Sequence, residues 1–154
     1  MSEFERLLEN NEAYAATQSH IADASPDLHV AVVTCMDARI DVLPALGLQI
    51  GEAVIVRNAG ARLTDDVVRS LLLGVHALNV DTIVVMQHTR CKMTGVTNEE
   101  LRTLTGADLD FLPIDDHAAT LRADLAGLRA KIGGAVELAG FLYDVDTGVA
   151  SRVI

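Results

Sequence analysis

Two apolar runs constrain the fold of this chain more than any other feature. Residues 28–34 (LHVAVVT) and 81–87 (DTIVVMQ) are nearly continuous, β-branched stretches of strand length. Such runs are typical of strands that are buried on both faces of a parallel sheet. Helical patterns lie between them, which favours an α/β fold. We therefore predict a mainly parallel central β-sheet flanked by helices.

The other predicted elements alternate along the chain. Strands are predicted over 52–57 and 139–145, with an edge strand over 149–154. Helices are predicted over 39–46, from Thr64 onward, over 98–104 and over 115–132. Residues 1–25 are predicted to form an N-terminal helical arm of one or two amphipathic helices that precedes the sheet. Its apolar residues include Phe4, Leu7, Leu8 and Tyr14.

Length and charge limit the classes of function. At 154 residues the chain is predicted to form one domain over 1–154. With 22 acidic and 12 basic residues its net charge is −10, which argues against nucleic acid or an anionic membrane surface as a partner. No secretory signal pattern opens the sequence and no apolar stretch reaches 18 residues, so we expect a cytoplasmic location.

The two cysteines of the chain stand directly beyond the apolar runs. Cys35 follows the first run, and His88 and Cys91 follow the second. Because the carboxyl ends of parallel strands meet at one edge of a sheet, these three side chains are expected to lie close together. In a reducing compartment, metal binding or catalysis is favoured over a disulfide. Thiolate and imidazole are the ligands that Zn²⁺ prefers, and three protein ligands leave a fourth position open.

Asp37 and Arg39 lie two residues apart beyond Cys35. If the extended backbone continues, their side chains point the same way and can form a bidentate ion pair. Such a pair beside a metal is suited to orienting a water molecule or a fourth ligand. Cys35 and Cys91 are 56 positions apart, which is unlike the spacing of a redox dithiol motif.

Three motifs in order carry a family resemblance. Cys-x-Asp-x-Arg at 35–39, Arg-Asn-Ala-Gly at 57–60 and His-x-x-Cys at 88–91 resemble the zinc-dependent β-class carbonic anhydrases, in their short microbial form. The resemblance implies a Zn²⁺ cofactor held by Cys35, His88 and Cys91, and reversible hydration of CO2 by a zinc-bound hydroxide. It also implies a catalytic dyad of Asp37 and Arg39, in which the carboxylate can swing onto the metal as a fourth ligand and close the site.

The same resemblance implies further features of the site and of the assembly. Asn58, Ala59 and Gly60 would line the substrate pocket, and the N-terminal arm would contact a second copy in a homodimer or higher oligomer. Two residues depart from the family pattern, because Arg90 and Lys92 flank the second cysteine where many members have a small, neutral or acidic residue. Cations at these positions could alter the entrance of the pocket.

Two alternative functions stay open at the level of sequence. Some short relatives hydrolyse carbonyl sulfide or carbon disulfide at the same metal centre, and the motifs do not separate these substrates. A non-catalytic protein with a closed structural zinc site is the other alternative, since Asp37 could complete a set of four ligands. Arg39 argues against it, because a structural site has no need of a guanidinium that competes for the carboxylate.

Overall fold

The computed structural model describes residues 1–18 and 23–154. Its strands are β1 (Val30–Cys35), β2 (Ala53–Asn58), β3 (Thr82–His88), β4 (Glu137–Tyr143) and β5 (Ala150–Arg152). They form one sheet in the order β2-β1-β3-β4-β5. The first four strands pair in parallel, and β5 pairs antiparallel to β4 at the edge. The predicted α/β fold with a mainly parallel sheet is confirmed.

Helices precede, connect and flank these strands. They are α1 (Glu3–Ala15), α2 (Val42–Ala45), α3 (Asp65–Ala77), α4 (Asn98–Thr105) and α5 (His117–Ile132), and a single 3-10 turn covers Ala59–Ala61. The helix α1 accounts for the first half of the predicted arm, whereas residues 19–22 lie outside the described part of the chain. Within the described residues, no helix combines the length and the apolar character needed to cross a membrane.

The helix α2 is shorter than the predicted 39–46, and the reason lies in Pro44. A helix that began at residue 39 would need the amide of residue 44 to bond the carbonyl of Ile40, but proline has no N–H. The structure satisfies this carbonyl differently, because Arg57 Nη1 donates to Ile40 O at 3.1 Å. Residues 36–41 therefore form a loop, and α2 begins only at Val42.

Capping residues fix the starts of the two helices that cover the sheet. The Thr64 hydroxyl accepts a hydrogen bond from the Val67 amide, as expected of the cap of α3, and Asp116 Oδ1 accepts one from the Ala119 amide at the start of α5. Asp65 and Asp66 then place negative charge at the positive end of the α3 dipole. These local signals let both helices begin where their apolar faces meet the sheet.

The core has one layer on each face of the sheet. On one face, α3 and α5 pack against alternate residues of β1 and β3 such as Val33 and Val85. The other face is covered by α2 and by the loops that follow the strands, and its buried members are Val32, Cys35, Ile40, Val42, Met86, Cys91, Met93, Ile114 and Tyr143. Successive strand residues alternate between faces, so His88 shares the second face with Met86.

The strand order creates a switch point between β1 and β3. After β1 the chain passes to β2 on one side, and after β2 it returns to β3 on the other side. The loops that leave the carboxyl ends of β1 and β3 therefore diverge and open a crevice between them, where α/β proteins bind ligands. Cys35 ends β1 and His88 ends β3.

Candidate metal centre

The structure brings the three predicted ligands together at this switch point. The Sγ atoms of Cys35 and Cys91 and a ring nitrogen of His88 all lie within 4.8 Å of one another. All three residues are buried, with relative exposures of 4%, 5% and 0% respectively. The pairing of β1 with β3 thus brings together residues that are more than 50 positions apart in sequence.

The two thiols form a closely coupled pair. Their sulfur atoms are 3.9 Å apart, the Gly60 amide donates to Cys35 Sγ at 3.4 Å, and the Met93 amide donates to Cys91 Sγ at 3.5 Å. A hydrogen bond from Cys91, helped by His88 and Gly60, lowers the pKa of Cys35 to about 4 although burial opposes it. The same bond, together with burial, raises the pKa of Cys91. Without a cation the site therefore favours a single thiolate, whereas a divalent cation would stabilise both.

His88 is oriented with one nitrogen facing the thiols. Its Nδ1 lies 2.8 Å from the carbonyl oxygen of Thr89, which fixes Nδ1 as the protonated donor. Its Nε2 is fully buried and has no hydrogen-bond partner among the described residues. A buried lone pair without a partner is costly, and a metal ion between the imidazole and the two sulfurs would satisfy it. This donor set fits Zn²⁺.

Asp37 and Arg39 form the predicted bidentate ion pair beside these ligands. Arg39 Nε and Nη2 donate to Asp37 Oδ1 and Oδ2 at 2.9 and 2.7 Å, and the Arg39 amide adds a third bond to Oδ1 at 3.0 Å. These hydrogen bonds hold the pKa of Asp37 well below its usual range. Arg39 also donates to the carbonyl of Arg90 at 3.1 Å, which ties the dyad to the loop that carries Cys91. Asp37 Oδ2 is 3.8 Å from His88 Nε2, at the edge of the metal position.

Arg57 holds the loop that presents the dyad. Its guanidinium donates to the carbonyls of Cys35 at 2.9 Å, of Asp37 at 2.6 Å and of Ile40 at 3.1 Å. One side chain thus binds the carbonyl at the end of β1 and two carbonyls of the loop that follows it. Arg57 supports the site by positioning the loop, and it is not among the residues that line the cavity.

A cavity of about 500 Å³ opens beside the metal position. Two of the three predicted pocket residues, Ala59 and Gly60, line it, but Asn58 does not. The Asn58 side chain instead bonds the backbone of Arg62 in both directions, at 2.7 and 2.9 Å, and closes the turn that carries its two neighbours. The full lining is Cys35, Met36, Asp37, Ala38, Ala59, Gly60, Cys91, Lys92 and Met93.

Gly60 is required by the backbone of this turn. Its φ is +78°, a left-handed conformation that favours glycine, and a Cβ there would lie 3.1 Å from Met93 Cγ and 3.2 Å from Ile114 Cδ1. The absence of a side chain lets the Gly60 amide approach Cys35 Sγ. The glycine therefore shapes the cavity and supplies a hydrogen bond to a ligand at the same time.

Two polar contacts around the site were not predicted from the sequence. Buried Gln87 lies 2.8 Å through Oε1 from His117 Nδ1, on the sheet face opposite His88. Arg62 forms a bidentate pair with Asp124 of α5, at 2.8 and 3.0 Å, and also donates to the carbonyl of Leu112. No local pattern signals either contact, because the partners are 30 and 62 residues apart.

Removing the Arg62 guanidinium is expected to destabilise the protein. Arg62 and Asp124 side chains are only 12% and 14% exposed, so Arg62→Met leaves a mostly buried carboxylate without its cation. We expect the free energy of unfolding in urea to fall by about 3 kcal/mol. The matched control is Arg69→Met, whose pair with Asp66 is 75% and 77% exposed; its loss should stay below about 1 kcal/mol. Equal losses in the two variants would contradict a structural role for the buried pair.

Comparisons with known proteins agree with this site. The sequence model of the family described as carbonic anhydrase matches residues 30–131. Beta-carbonic anhydrase 1 of Mycobacterium tuberculosis is 33% identical over 154 residues, an alignment that covers 95% of this chain and 94% of that protein. The crystal structure of a carbonic anhydrase from Streptococcus mutans superposes with a TM-score of 0.91 at 40% identity and covers 100% of this chain and 99% of the other.

A relative that is named for a different activity also matches. Carbon disulfide hydrolase of Acidithiobacillus thiooxidans is 33% identical over 156 residues, which covers 91% of this chain but 69% of that protein. The match to this hydrolase is thus less complete than the match to the mycobacterial relative.

Proposed function

Because this chain belongs to the β-class carbonic anhydrase family, and is thus an enzyme of the carbonate dehydratase type, we propose that it catalyses the reversible hydration of CO2 to bicarbonate and a proton. The observation that carries this proposal is the buried Nε2 of His88, which has no hydrogen-bond partner among the described residues and faces two thiols beside a cavity that a fixed carboxylate also lines. Cys35, His88 and Cys91 would hold a Zn²⁺ ion. When bound, zinc supplies a Lewis acid that makes a hydroxide nucleophile available near neutral pH.

Asp37 would orient the attacking water. Its pKa is depressed by Arg39, so at neutral pH it is an ionised acceptor. Arg39 donates twice to Oδ1 and once to Oδ2, which leaves one lone pair of Oδ2 free to accept at the cavity that Asp37 lines. A hydrogen bond accepted from the attacking water would turn the water's lone pair toward CO2.

The walls of the cavity suit a small apolar gas. Met36, Ala38, Ala59 and Met93 contribute apolar side chains to the lining. CO2 carries no net charge and makes weak hydrogen bonds, so contact with such walls costs it little desolvation. The turn at Gly60 keeps the volume open next to Cys35.

The geometry favours an open site over a closed structural one. For Asp37 to become a fourth ligand, its carboxylate would have to give up hydrogen bonds with Arg39 at 2.7 to 3.0 Å. Arg39 in turn is anchored to the carbonyl of Arg90. These bonds support an Asp37 that stays beside the metal position and leaves the fourth position to water and substrate.

Hydrolysis of carbon disulfide is the second candidate, on the strength of the match to the Acidithiobacillus enzyme. Stopped-flow hydration of CO2 by protein of known zinc content tests the proposal, with carbonyl sulfide and carbon disulfide assayed in parallel. Rapid CO2 turnover with little sulfide release would support hydration. Sulfide release with negligible CO2 turnover would favour the hydrolase, and inactivity toward all three with one zinc per chain would favour the structural site.

We further propose that residues 1–154 act as one domain whose arm, residues 1–25, contacts a second copy in a homodimer or larger assembly. None of the residues of α1 is buried, although the helix carries large apolar side chains. Phe4, Leu7 and Leu8 are exposed at 80%, 59% and 67%. Contiguous apolar side chains on a helix are typical of protein contacts.

Serine substitutions on α1 test this contact. The double variant Leu7→Ser/Leu8→Ser is expected to shift the mass measured by light scattering from that of a dimer or larger species toward that of the 16.4 kDa chain. Glu9→Ser/Asn10→Ser is the control, since it places two serines in the same helix without removing apolar surface. A monomeric wild-type protein, or an equal shift in both variants, would contradict the proposed contact.

A further inference from the structure

Lys92 stands out among the residues that line the cavity. It directly follows Cys91, its side chain is exposed, and no ion pair or hydrogen bond engages its ammonium group among the described residues. The only other lysine of the sequence, Lys131, lies 3.6 Å from Asp65 Oδ1 and does not line this cavity. We propose that Lys92 is the cation that binds bicarbonate in the cavity, an inference that rests on the proposed CO2 hydration.

The charges around the cavity sum to zero without Lys92. With zinc bound, two thiolates and a neutral imidazole would balance its two positive charges, and Arg39 balances Asp37 through the bidentate pair. Arg90 lies nearby, but it pairs with Asp146 at 3.1 Å. Apart from coordination at the open position of the zinc, an anion would therefore meet no net positive charge from the ligands and the dyad.

The charge of the rest of the protein repels an anion. The net charge of −10 produces a negative field that lowers the local concentration of bicarbonate. Lys92 supplies one uncompensated positive charge at the cavity, where the other lining side chains besides the ligands and Asp37 are apolar or glycine. An ammonium group has three N–H donors and is a compact point charge, which suits a small oxyanion.

This placement predicts where the effect of Lys92 will be seen. The overall equilibrium fixes the ratio of kcat/KM for hydration to kcat/KM for dehydration in every variant. The effect of a residue that only binds the anion is therefore expected in the affinity of the enzyme for the anion, and not in that ratio. Across a few ångströms of solvated space, the attraction between unit charges is worth about a fivefold change in affinity. It is also expected to weaken as salt screens the charge.

Paired lysine variants test the proposal in the zinc-loaded full chain. In Lys92→Gln, the inhibition constants of bicarbonate and of nitrate against CO2 hydration are expected to rise about fivefold at low salt. The difference from wild type should shrink when the ionic strength is raised from about 0.02 M to about 0.5 M. Lys131→Gln should match the wild type. Unchanged inhibition constants in Lys92→Gln would overturn the proposal.

A measurement that needs no turnover separates this inference from the proposed function. Reductive methylation with ¹³C-formaldehyde labels Lys92, Lys131 and the terminal amine and preserves their charge, and the Lys131→Gln variant assigns the two lysine signals. During titration with bicarbonate at constant pH, the Lys92 signal is expected to shift and saturate while the Lys131 signal stays fixed.

The two kinds of readout identify which idea fails. A saturable Lys92 shift in a protein without CO2 turnover would leave the anion site standing and remove the proposed function. Rapid CO2 turnover, with a Lys92 signal that moves only in parallel with Lys131, would keep the function and overturn the role of Lys92.

Discussion

Cys91→Ser is expected to remove bound zinc and, with it, CO2 hydration. A serine hydroxyl is a poor zinc ligand compared with a thiolate, and two protein ligands cannot hold the ion that three would hold. The Met93 amide, which donates to Cys91 Sγ at 3.5 Å, would also lose its sulfur acceptor. We expect less than about a tenth of the zinc content of the wild type, measured by elemental analysis after dialysis.

The control for this variant must disturb the same edge of the sheet without touching a ligand. Thr34→Ser meets that need, since Thr34 is buried next to Cys35 and its hydroxyl bond to the Met86 carbonyl, at 2.9 Å, is available to serine as well. It should retain zinc even if it loses some stability. Stoichiometric zinc in Cys91→Ser would refute the ligand set, whereas zinc loss in both variants would trace the effect to a disturbed fold.

The sheet and the cluster of ligands could be predicted because their signals are local. An apolar, β-branched run predicts a strand wherever it ends up in the fold, and residues at the carboxyl ends of parallel strands share one edge. The positions of Cys35 and His88 directly after such runs therefore predict their proximity. The proximity of Cys91 could be predicted as well, because the two residues that separate it from His88 are enough for the loop to turn back toward the sheet edge.

The support of the site could not be predicted in the same way. Arg57 binds three carbonyls, one at the end of β1 and two in the loop before α2, and these partners are 17 to 22 residues away in sequence. Asn58 was expected in the pocket on the family resemblance, yet its amide closes the turn against the Arg62 backbone. Such contacts depend on the path of loops in three dimensions, and a single sequence carries no periodic pattern for them.

Asp37→Asn is expected to keep zinc and lose most CO2 turnover. The amide has nearly the shape of the carboxylate, and none of the three ligands is changed, so zinc content should equal that of the wild type. However, the amide nitrogen cannot accept a hydrogen bond and would face a donor of Arg39 if it took the place of either oxygen. The attacking water would lose its oriented acceptor, and kcat for hydration should fall by about 10²-fold or more.

A carboxylate at the rim provides the matched comparison. Asp146→Asn makes the same chemical change in an exposed residue that pairs with Arg90 at 3.1 Å. Because that pair is solvated, its kcat should stay within about twofold of the wild type. Equal activity of Asp37→Asn and Asp146→Asn would remove Asp37 from the mechanism. Loss of zinc in Asp37→Asn would instead make the carboxylate a ligand and favour the closed site, since an oriented acceptor and a metal ligand make opposite predictions for metal content.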